Sequence, residues 1–160
     1  MNELRDTQDL GELVQYIIIR LGDEQYGIDI KYIDNIVRMQ QITRVPQVAH
    51  YLKGVINIRG VIVPVMSLRL KMEMDADEIT DKSRIIILKA EEDTLIGIIV
   101  DQVNQVLTLG SKSIEKVTYS ADKGGKKLNS YISGVGKYEG GLVSILDLGM
   151  VEMEEDKAKA

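Results

Sequence analysis

Few residues in this 160-residue chain have the types and spacing that catalysis requires. His50 is the only histidine, and the chain contains no cysteine. A single imidazole without a nearby nucleophile or second ligand is most often a surface residue. Without a thiol, the chain has no cysteine nucleophile and no thiolate ligand for a soft metal. A pair of catalytic carboxylates brought together by folding would leave no such signal, so that chemistry stays open.

Two short segments resemble ligand-binding motifs but lack residues that those motifs need. The segment "KGGKKL" at 123–128 has Ser120 where a Walker phosphate loop needs glycine, and Lys127 where that loop needs a hydroxyl. The segment "DADE" at 75–78 has carboxylates without the spacing or the glycine of a calcium-binding EF-hand loop. We therefore expect solvated loops at both places, and neither a cofactor nor a bound metal.

The segment "GVINIRGVIVPV" at 54–65 places polar residues inside the most hydrophobic part of the chain. Its β-branched residues on either side of Arg59 and Gly60 predict a hairpin with a two-residue turn, in which Gly60 supplies a positive φ. Arg59 would project outward, where its guanidinium could bind a partner's carboxylate or carbonyl groups. Asn57 could brace the turn through its side-chain amide or point into a groove. The residue types alone favour a plain turn, because most turns bind nothing.

Strand patterns that would position this turn recur in pairs along the chain. They cover residues 13–21 with a turn at 22–27, residues 84–90 and 95–100, and residues 131–138 and 142–148. Many short strands with turns at intervals predict small barrels or a sandwich rather than a parallel α/β sheet. Pro64 fits a strand only at an edge or a bulge, since proline cannot donate to the ladder. The apolar set Ile33, Ile36 and Val37 is interpreted by default as core.

A short polar residue ends four of the predicted strands. These residues are Asp29, Ser67, Asp101 and Asp147. Aspartate and serine are good N-caps, so each predicts a strand that runs into a short helix or helical turn. The alternative is that these residues only end a strand. The spacing between each turn and its cap varies, which predicts similar hairpins packed together rather than a strict repeat.

Polar segments mark the expected limits of the folded part. Residues 1–12 and the tail 152–160 are expected to be disordered, because they cannot bury enough apolar surface to offset the entropy of ordering. This leaves one folded unit at 13–151. The acidic stretch 71–83 and the stretch 120–130 are predicted to be flexible loops.

Composition excludes several classes of function. The net charge of −5 argues against a nucleic-acid partner, which would normally require a basic face. No apolar run approaches the roughly 18 residues that a membrane span needs, so no direct membrane insertion is expected. The polar, acidic N-terminus does not resemble a secretory signal, and the absence of cysteine suits a reducing compartment. We therefore expect a soluble cytoplasmic protein.

Four collinear segments resemble the CheW family of bacterial chemotaxis coupling proteins. They are "LGDEQYGIDI" (21–30), "ITRVPQVAHYLKGVINIRGVIVPVMSLRLKM" (42–72), "IIVDQVNQVL" (98–107) and "LVSILDL" (142–148). The resemblance implies a mainly β fold of two small SH3-like β-barrels packed together, with short helical segments. It also implies a non-enzymatic adaptor that couples the cytoplasmic tips of methyl-accepting chemoreceptors to the regulatory domain of the histidine kinase CheA. Such a protein is cytoplasmic and is recruited to membrane-anchored receptor arrays.

The resemblance also implies which residues contact partners. The family's N-x-R-G turn corresponds to Asn57, Arg59 and Gly60, with Gly54 at the start of the strand. A second contact region corresponds to Ile33 and Ile36, whereas the CheA-binding residues cannot be transferred one by one. This chain departs from the family at Asn35, where an acidic residue is common, and in the order of residues in "NIVRM".

Three functional hypotheses follow from the sequence. The leading one is the adaptor. The second is a regulatory domain that binds a small ligand between the barrels, which a metabolite retained through purification would support. The third is a hydrolase with paired carboxylates, although the single histidine and the absence of cysteine weigh against it.

Overall fold

The computed structural model describes residues 11–116 and 131–149, which fold into two antiparallel-rich sheets with few helical residues. The prediction of a mainly β fold in two units with short helical segments is confirmed. The helical pieces are α1 (Leu68–Lys71) and single 3₁₀ turns at Ile30–Tyr32, Glu91–Asp93 and Ser111–Ser113. The strands are β1 (Leu13–Leu21), β2 (Glu24–Asp29), β3 (Ile33–Arg38), β4 (Leu52–Ile58), β5 (Val61–Ser67), β6 (Arg84–Lys89), β7 (Leu95–Val100), β8 (Gln102–Gly110), β9 (Ile114–Lys116), β10 (Ile132–Tyr138) and β11 (Gly141–Leu146).

Each half of the chain contributes strands to both sheets. The first sheet has the order β8-β1-β2-β11-β10-β9, and the second sheet has the order β3-β6-β7-β5-β4. The chain crosses from the first sheet to the second between β2 and β3, and it returns between β7 and β8. The second sheet is therefore one continuous part of the chain, β3 to β7, inserted between the strands of the first sheet.

Burial on both faces explains why several strands are apolar at nearly every position. In β1, Ile17 and Ile19 face a core shared by both sheets, whereas Tyr16 and Ile18 face a core that belongs to the first sheet alone. In β6, Ile86 faces the shared core and Ile85 faces a core of the second sheet. A strand with two buried faces loses the alternation of apolar and polar residues, so it appears in the sequence as a continuous apolar run.

The segments 51–68 and 131–148 are structural repeats of each other. Positions 51–66 and 131–146 share the same burial class one by one. Both hairpins carry a register shift near the start of the first strand, and both close with a backbone bond between equivalent residues, from Ser67 N to Tyr51 O at 2.7 Å and from Asp147 N to Tyr131 O at 2.8 Å. The expectation that the hairpins follow no strict repeat is thus wrong for this pair.

The four predicted caps have different outcomes. Asp29 accepts a bond from Lys31 N at 3.0 Å before a 3₁₀ turn, and Ser67 accepts one from Leu70 N at 3.1 Å at the start of α1. Asp147 directly precedes helical residues at 148–149. The prediction is wrong for Asp101, since β8 begins at the next residue and pairs along β1.

Other boundaries differ from the expectations in small ways. The turn between β1 and β2 is only Gly22 and Asp23, because β2 already begins at Glu24. Parallel pairing of β5 with β7 begins at Val65, so Pro64 lies where β5 has a neighbour on one side only, in agreement with the predicted local edge. The loop at 120–130 and the tail 152–160 lie outside the described residues, as do residues 1–10 of the N-terminal stretch. Within the described ranges, no helix is long and apolar enough to cross a membrane.

Candidate functional site

The β4–β5 hairpin closes with the two-residue turn that the sequence predicts. Ile58 pairs with Val61, and the turn residues Arg59 and Gly60 have φ values of +50° and +86°. Two consecutive positive φ values match the right-handed twist of the flanking strands. Asn57 Oδ1 accepts a bond from Gly60 N at 2.8 Å, so this side chain braces the turn. The predicted positive φ of Gly60 is confirmed, and Asn57 takes the bracing role rather than the groove.

The conformation of Arg59 was not predicted from the sequence. A residue with a Cβ atom in the left-handed region costs about 1–2 kcal/mol, and asparagine, aspartate and glycine usually occupy this position of a hairpin turn. Arg59 is exposed, and among the described residues its guanidinium has no hydrogen-bond or ion-pair partner. Within the described fold, only the fit of the turn to the strand twist and the bond from Gly60 N to Asn57 Oδ1 offset the strain at Arg59, and the Arg59 side chain contributes nothing to it.

Exposed apolar side chains adjoin the charged tip. Val61 is 50% exposed and Ile62 is 59% exposed, although both lie in β5 directly after the turn. Successive strand residues point to opposite faces, so the hairpin shows apolar surface on both sides of its tip. The tip combines one unpaired cation, a fixed backbone and apolar flanks, which is a surface suited to an amphipathic partner with an acidic group.

Gly54 has a structural position behind this tip. It is buried and has a φ of +144°, and a Cβ atom built there would lie 2.1 Å from Thr43 O. Thr43 and Val55 exchange backbone bonds, from Thr43 N to Val55 O at 2.9 Å and from Val55 N to Thr43 O at 2.8 Å. Gly54 thus lets the segment before β4 approach the hairpin closely, and it positions the tip from within the fold.

Ile33 and Ile36 lie on β3, at the opposite edge of the second sheet from β4. Both are partly buried and pack against the shared core, opposite Leu88 and Ile86 of β6. The default interpretation of these two residues as core is therefore confirmed for most of their surface. Asn35 lies at a register shift between them, where its Oδ1 accepts a bond from Ile36 N at 2.8 Å. The structure brings together Asn57, Arg59 and Gly60 in one turn, and it places the β3 residues on a separate edge.

Comparison with known proteins assigns the family. Residues 15–154 match the model of the CheW-like domain. The chain belongs to the CheW family. The chemotaxis protein CheW of Bacillus subtilis is 37% identical over 145 residues, covering 90% of each chain. The CheW protein of Klebsiella aerogenes is 31% identical over 150 residues, covering 92% of this chain and 88% of the relative.

The fold agrees with a solved CheW structure. The crystal structure of the scaffolding protein TtCheW from Thermoanaerobacter tengcongensis superposes with a TM-score of 0.75 at 28% identity. The match covers 88% of this chain and 92% of that protein. The two-sheet architecture described above is therefore the CheW fold.

A polar network that the sequence did not reveal joins the two sheets of this CheW-family chain. Arg69, at the start of α1, donates from Nε to Asp101 Oδ1 at 2.9 Å and from Nη2 to Asp101 Oδ2 at 2.5 Å. Gly22 N, in the β1–β2 turn, donates to Asp101 Oδ2 at 2.7 Å. Asp101 lies between β7 of the second sheet and β8 of the first. Its carboxylate therefore connects the two sheets where the chain passes from one to the other.

Two carboxylates near Arg69, those of Asp101 and Asp77, have pKa values shifted in opposite directions. Burial tends to raise the pKa of Asp101, but the hydrogen bonds from Arg69 and Gly22 hold this pKa below its usual value. Burial raises the pKa of the neighbouring Asp77, against the bond that Ser67 Oγ donates to its Oδ2 at 2.5 Å. Asp101 therefore stabilises the fold as an anion, whereas ionisation of Asp77 opposes folding.

We expect Asp101→Asn to lower the free energy of unfolding at pH 7 by about 1–3 kcal/mol, the usual value for hydrogen bonds to a charged group. Because the folded pKa of Asp101 is depressed, its contribution is present above the unfolded pKa of about 3.9 and is lost as the pH falls through the folded pKa. The difference between parent and variant should therefore shrink below about pH 4. Denaturant unfolding across pH 3 to 7 measures this difference in the free energy of unfolding.

Asp77→Asn is the matched control, because the Asp77 carboxylate interacts electrostatically with Arg69 and Asp101 and its pKa is shifted in the opposite direction. A raised pKa disfavours the parent as the pH rises, so this variant should gain stability relative to the parent over that range. Equal pH dependence in the two variants would contradict the assigned roles of Asp77 and Asp101.

Proposed function

We propose that this chain is a non-enzymatic adaptor of bacterial chemotaxis. It binds the cytoplasmic tips of methyl-accepting chemoreceptors and the regulatory domain of the histidine kinase CheA, so that receptors control kinase activity. Membership of the CheW family supports this proposal, as does the description of the similar solved structure as a scaffolding protein. The protein acts in the cytoplasm at membrane-anchored receptor arrays.

The observation that carries the proposal is the conformation of Arg59. A strained backbone on an exposed turn, with a cation that no described residue pairs, indicates that a binding role offsets the cost in stability. In this account Arg59 contacts the receptor, Asn57 and Gly60 hold the turn, and Gly54 sets the position of the hairpin. The exposed parts of Ile33 and Ile36 form a second contact on the other edge of the sheet.

An adaptor of this kind acts through geometry and concentration. When one molecule holds receptor and kinase together, the second contact forms intramolecularly and at a high effective concentration. The core shared by both sheets and the bonds of Asp101 make the two sheets a stiff connection between the bound partners. A change at the receptor contact can then alter the position of the kinase without any chemical step in the adaptor.

Binding experiments with separate partners test this function. Purified protein should retain a receptor cytoplasmic fragment and the CheA regulatory domain each alone, and both together in one complex on size-exclusion chromatography. Nucleic acid should not bind, given the net charge of −5. Retention of neither partner at micromolar concentrations would contradict the proposal.

The two other hypotheses, a regulatory domain that binds a small ligand and a hydrolase with paired carboxylates, have less support. The cleft between the sheets, lined by Arg20, Arg69 and Asp101, measures about 190 Å³, below the roughly 300–1,000 Å³ of ordinary ligand sites. Among the described residues, no group of three or more histidine, cysteine, aspartate or glutamate side chains could hold a metal ion. A further cleft of about 490 Å³ is lined by the segment before β4 and the first residues of that strand, within 42–53, rather than by both sheets.

The absence of a catalytic role has its own test. We expect no ATPase, kinase or phosphatase activity above that of buffer, because the chain has no phosphate loop and its carboxylate network around Asp101 is engaged in structural bonds. ATP hydrolysis measured across the fractions of a final purification column should not follow the protein. Hydrolysis that co-elutes with the protein and disappears in Asp101→Asn would contradict this expectation.

A further inference from the structure

Two arginines lie directly opposite each other at one end of the second sheet. Arg38, the last residue of β3, is in register with Arg84, the first residue of β6. Like charges directly opposite on adjacent strands destabilise the pair. Among the described residues, no carboxylate lies within 4.0 Å of either guanidinium to compensate. The pair is thus a local concentration of positive charge on a chain of net charge −5.

The loop before β6 fixes one of these guanidinium groups. Arg84 Nη1 donates to Asp81 O at 2.8 Å and to Ser83 O at 2.7 Å. These bonds hold the arginine in place and leave its other N–H groups for a ligand. Arg38 is exposed, and its guanidinium has no hydrogen bond among the described residues, so its side-chain donors are also available.

Both arginines line a cleft of about 590 Å³, which two hydroxyl-bearing residues also line. Its lining is Arg38, Met39, Thr80, Asp81, Ser83 and Arg84. Ser83 Oγ accepts a bond from Thr80 N at 2.9 Å, and Thr80 Oγ1 accepts one from Lys82 N at 3.1 Å. Each hydroxyl oxygen accepts a backbone bond and keeps its hydrogen as a donor. Thr80 is exposed, whereas Ser83 is only 2% exposed, so Thr80 is the better placed of the two to donate to a ligand.

We propose that Arg38 and Arg84 form a binding site for a phosphate-class oxyanion. Two guanidinium groups and the hydroxyl of Thr80 match the several oxygens and the double charge of a phosphate better than the two oxygens of a carboxylate. The bound anion would also remove the repulsion between the opposed arginines. Asp81 opposes anion binding, because this acidic residue also lines the cleft and its carboxylate pairs with neither arginine.

Titration followed by amide NMR tests the site. Inorganic phosphate is added to the full chain, with sodium chloride at equal ionic strength as reference. We expect saturable shifts at residues 38 and 80–84, weakened at least about tenfold by Arg38→Gln, which corresponds to one lost charged hydrogen bond. Asp81→Asn should tighten binding, and Arg44→Gln, an exposed arginine elsewhere, should leave it unchanged. Glycerol phosphate in a parallel titration distinguishes a phosphate ester from the free ion as the better ligand.

Thermal unfolding provides a second measurement that does not depend on NMR assignment. In chloride, Arg38→Gln should keep or raise the melting temperature, because it removes a like-charge pair. Phosphate should raise the melting temperature of the parent and not that of Arg38→Gln, since only a folded site binds the anion. Arg84→Gln also loses two backbone bonds, so Arg38→Gln carries the test. Shifts no larger than those in chloride, or shifts that Arg38→Gln leaves intact, would overturn the proposal.

Discussion

Replacing Gly54 with alanine is expected to lower the free energy of unfolding by more than about 3 kcal/mol, because the new methyl group has no space. The added Cβ would lie 2.1 Å from Thr43 O, 2.7 Å from Thr43 C and 2.8 Å from Ile42 Cγ2. Two of these atoms belong to the backbone, so the segment before β4 must move and lose its paired bonds with Val55. The melting temperature should fall by roughly 6–12 °C, which calorimetry or circular dichroism measures.

Gly141→Ala is the matched control for this prediction. Gly141 also has a left-handed φ, +128°, but a Cβ atom there would meet nothing within 4 Å. This variant carries only the backbone strain of about 1–2 kcal/mol. If both variants lost the same stability, steric contact with Thr43 would not be the reason that glycine occupies position 54.

Replacing Arg59 is expected to separate binding from stability. Arg59→Ala should weaken receptor binding by about 10- to 100-fold, the equivalent of roughly 1.4–3 kcal/mol for a charged contact at an interface. Its effect on the free energy of unfolding should stay within about 0.5 kcal/mol, because the side chain is exposed and unpaired among the described residues. Binding is measured by titration calorimetry against a receptor cytoplasmic fragment, and stability by denaturant unfolding.

Arg59→Gly makes the separation sharper. Glycine adopts a φ of +50° without strain, so this variant should match the parent in stability or exceed it by up to about 1 kcal/mol. It should nevertheless lose as much affinity as Arg59→Ala. Arg59→Lys should recover only part of the binding, because lysine lacks the planar guanidinium.

The second repeat provides a matched control for the tip. Glu139 occupies the turn position that corresponds to Arg59, 80 residues further along the chain. Glu139→Ala should change neither receptor affinity nor stability beyond about 0.5 kcal/mol. Loss of receptor binding in Glu139→Ala with normal binding in Arg59→Ala would move the contact to the other hairpin.

The local elements could be predicted because short-range chemistry determines them. The turn at Arg59 and Gly60 follows from glycine at the tip of a β-branched run, and the caps at Asp29 and Ser67 follow from side chains that reach the next backbone amides. The same reasoning failed at Asp101, where the carboxylate bonds to Arg69 and Gly22, distant in sequence. The local sequence cannot show whether an aspartate accepts bonds from the next backbone amides or from residues distant in the chain.

The assignment of strands to the two sheets could not be predicted either, because it also depends on contacts between residues distant in sequence. The hairpin at 13–29 would have the same apolar pattern in either sheet. No single segment therefore indicates that β3 to β7 form a second sheet inserted into the first. The strain at Arg59 was also missed, because a positive φ at a residue with a Cβ atom contradicts local preference. The opposed pair of Arg38 and Arg84 became visible only when the register between β3 and β6 was known.

Reconstituted kinase control tests the central proposal most directly. Receptor signalling fragments and CheA are combined with the parent chain, with Arg59→Ala, or with no adaptor, and phosphorylation of CheA by ATP is followed over time. We predict that the parent raises kinase activity above that of CheA alone and makes it respond to the receptor state, and that Arg59→Ala requires at least about tenfold more protein for the same effect. Kinase activity that is the same with the parent chain and without any adaptor would contradict the account.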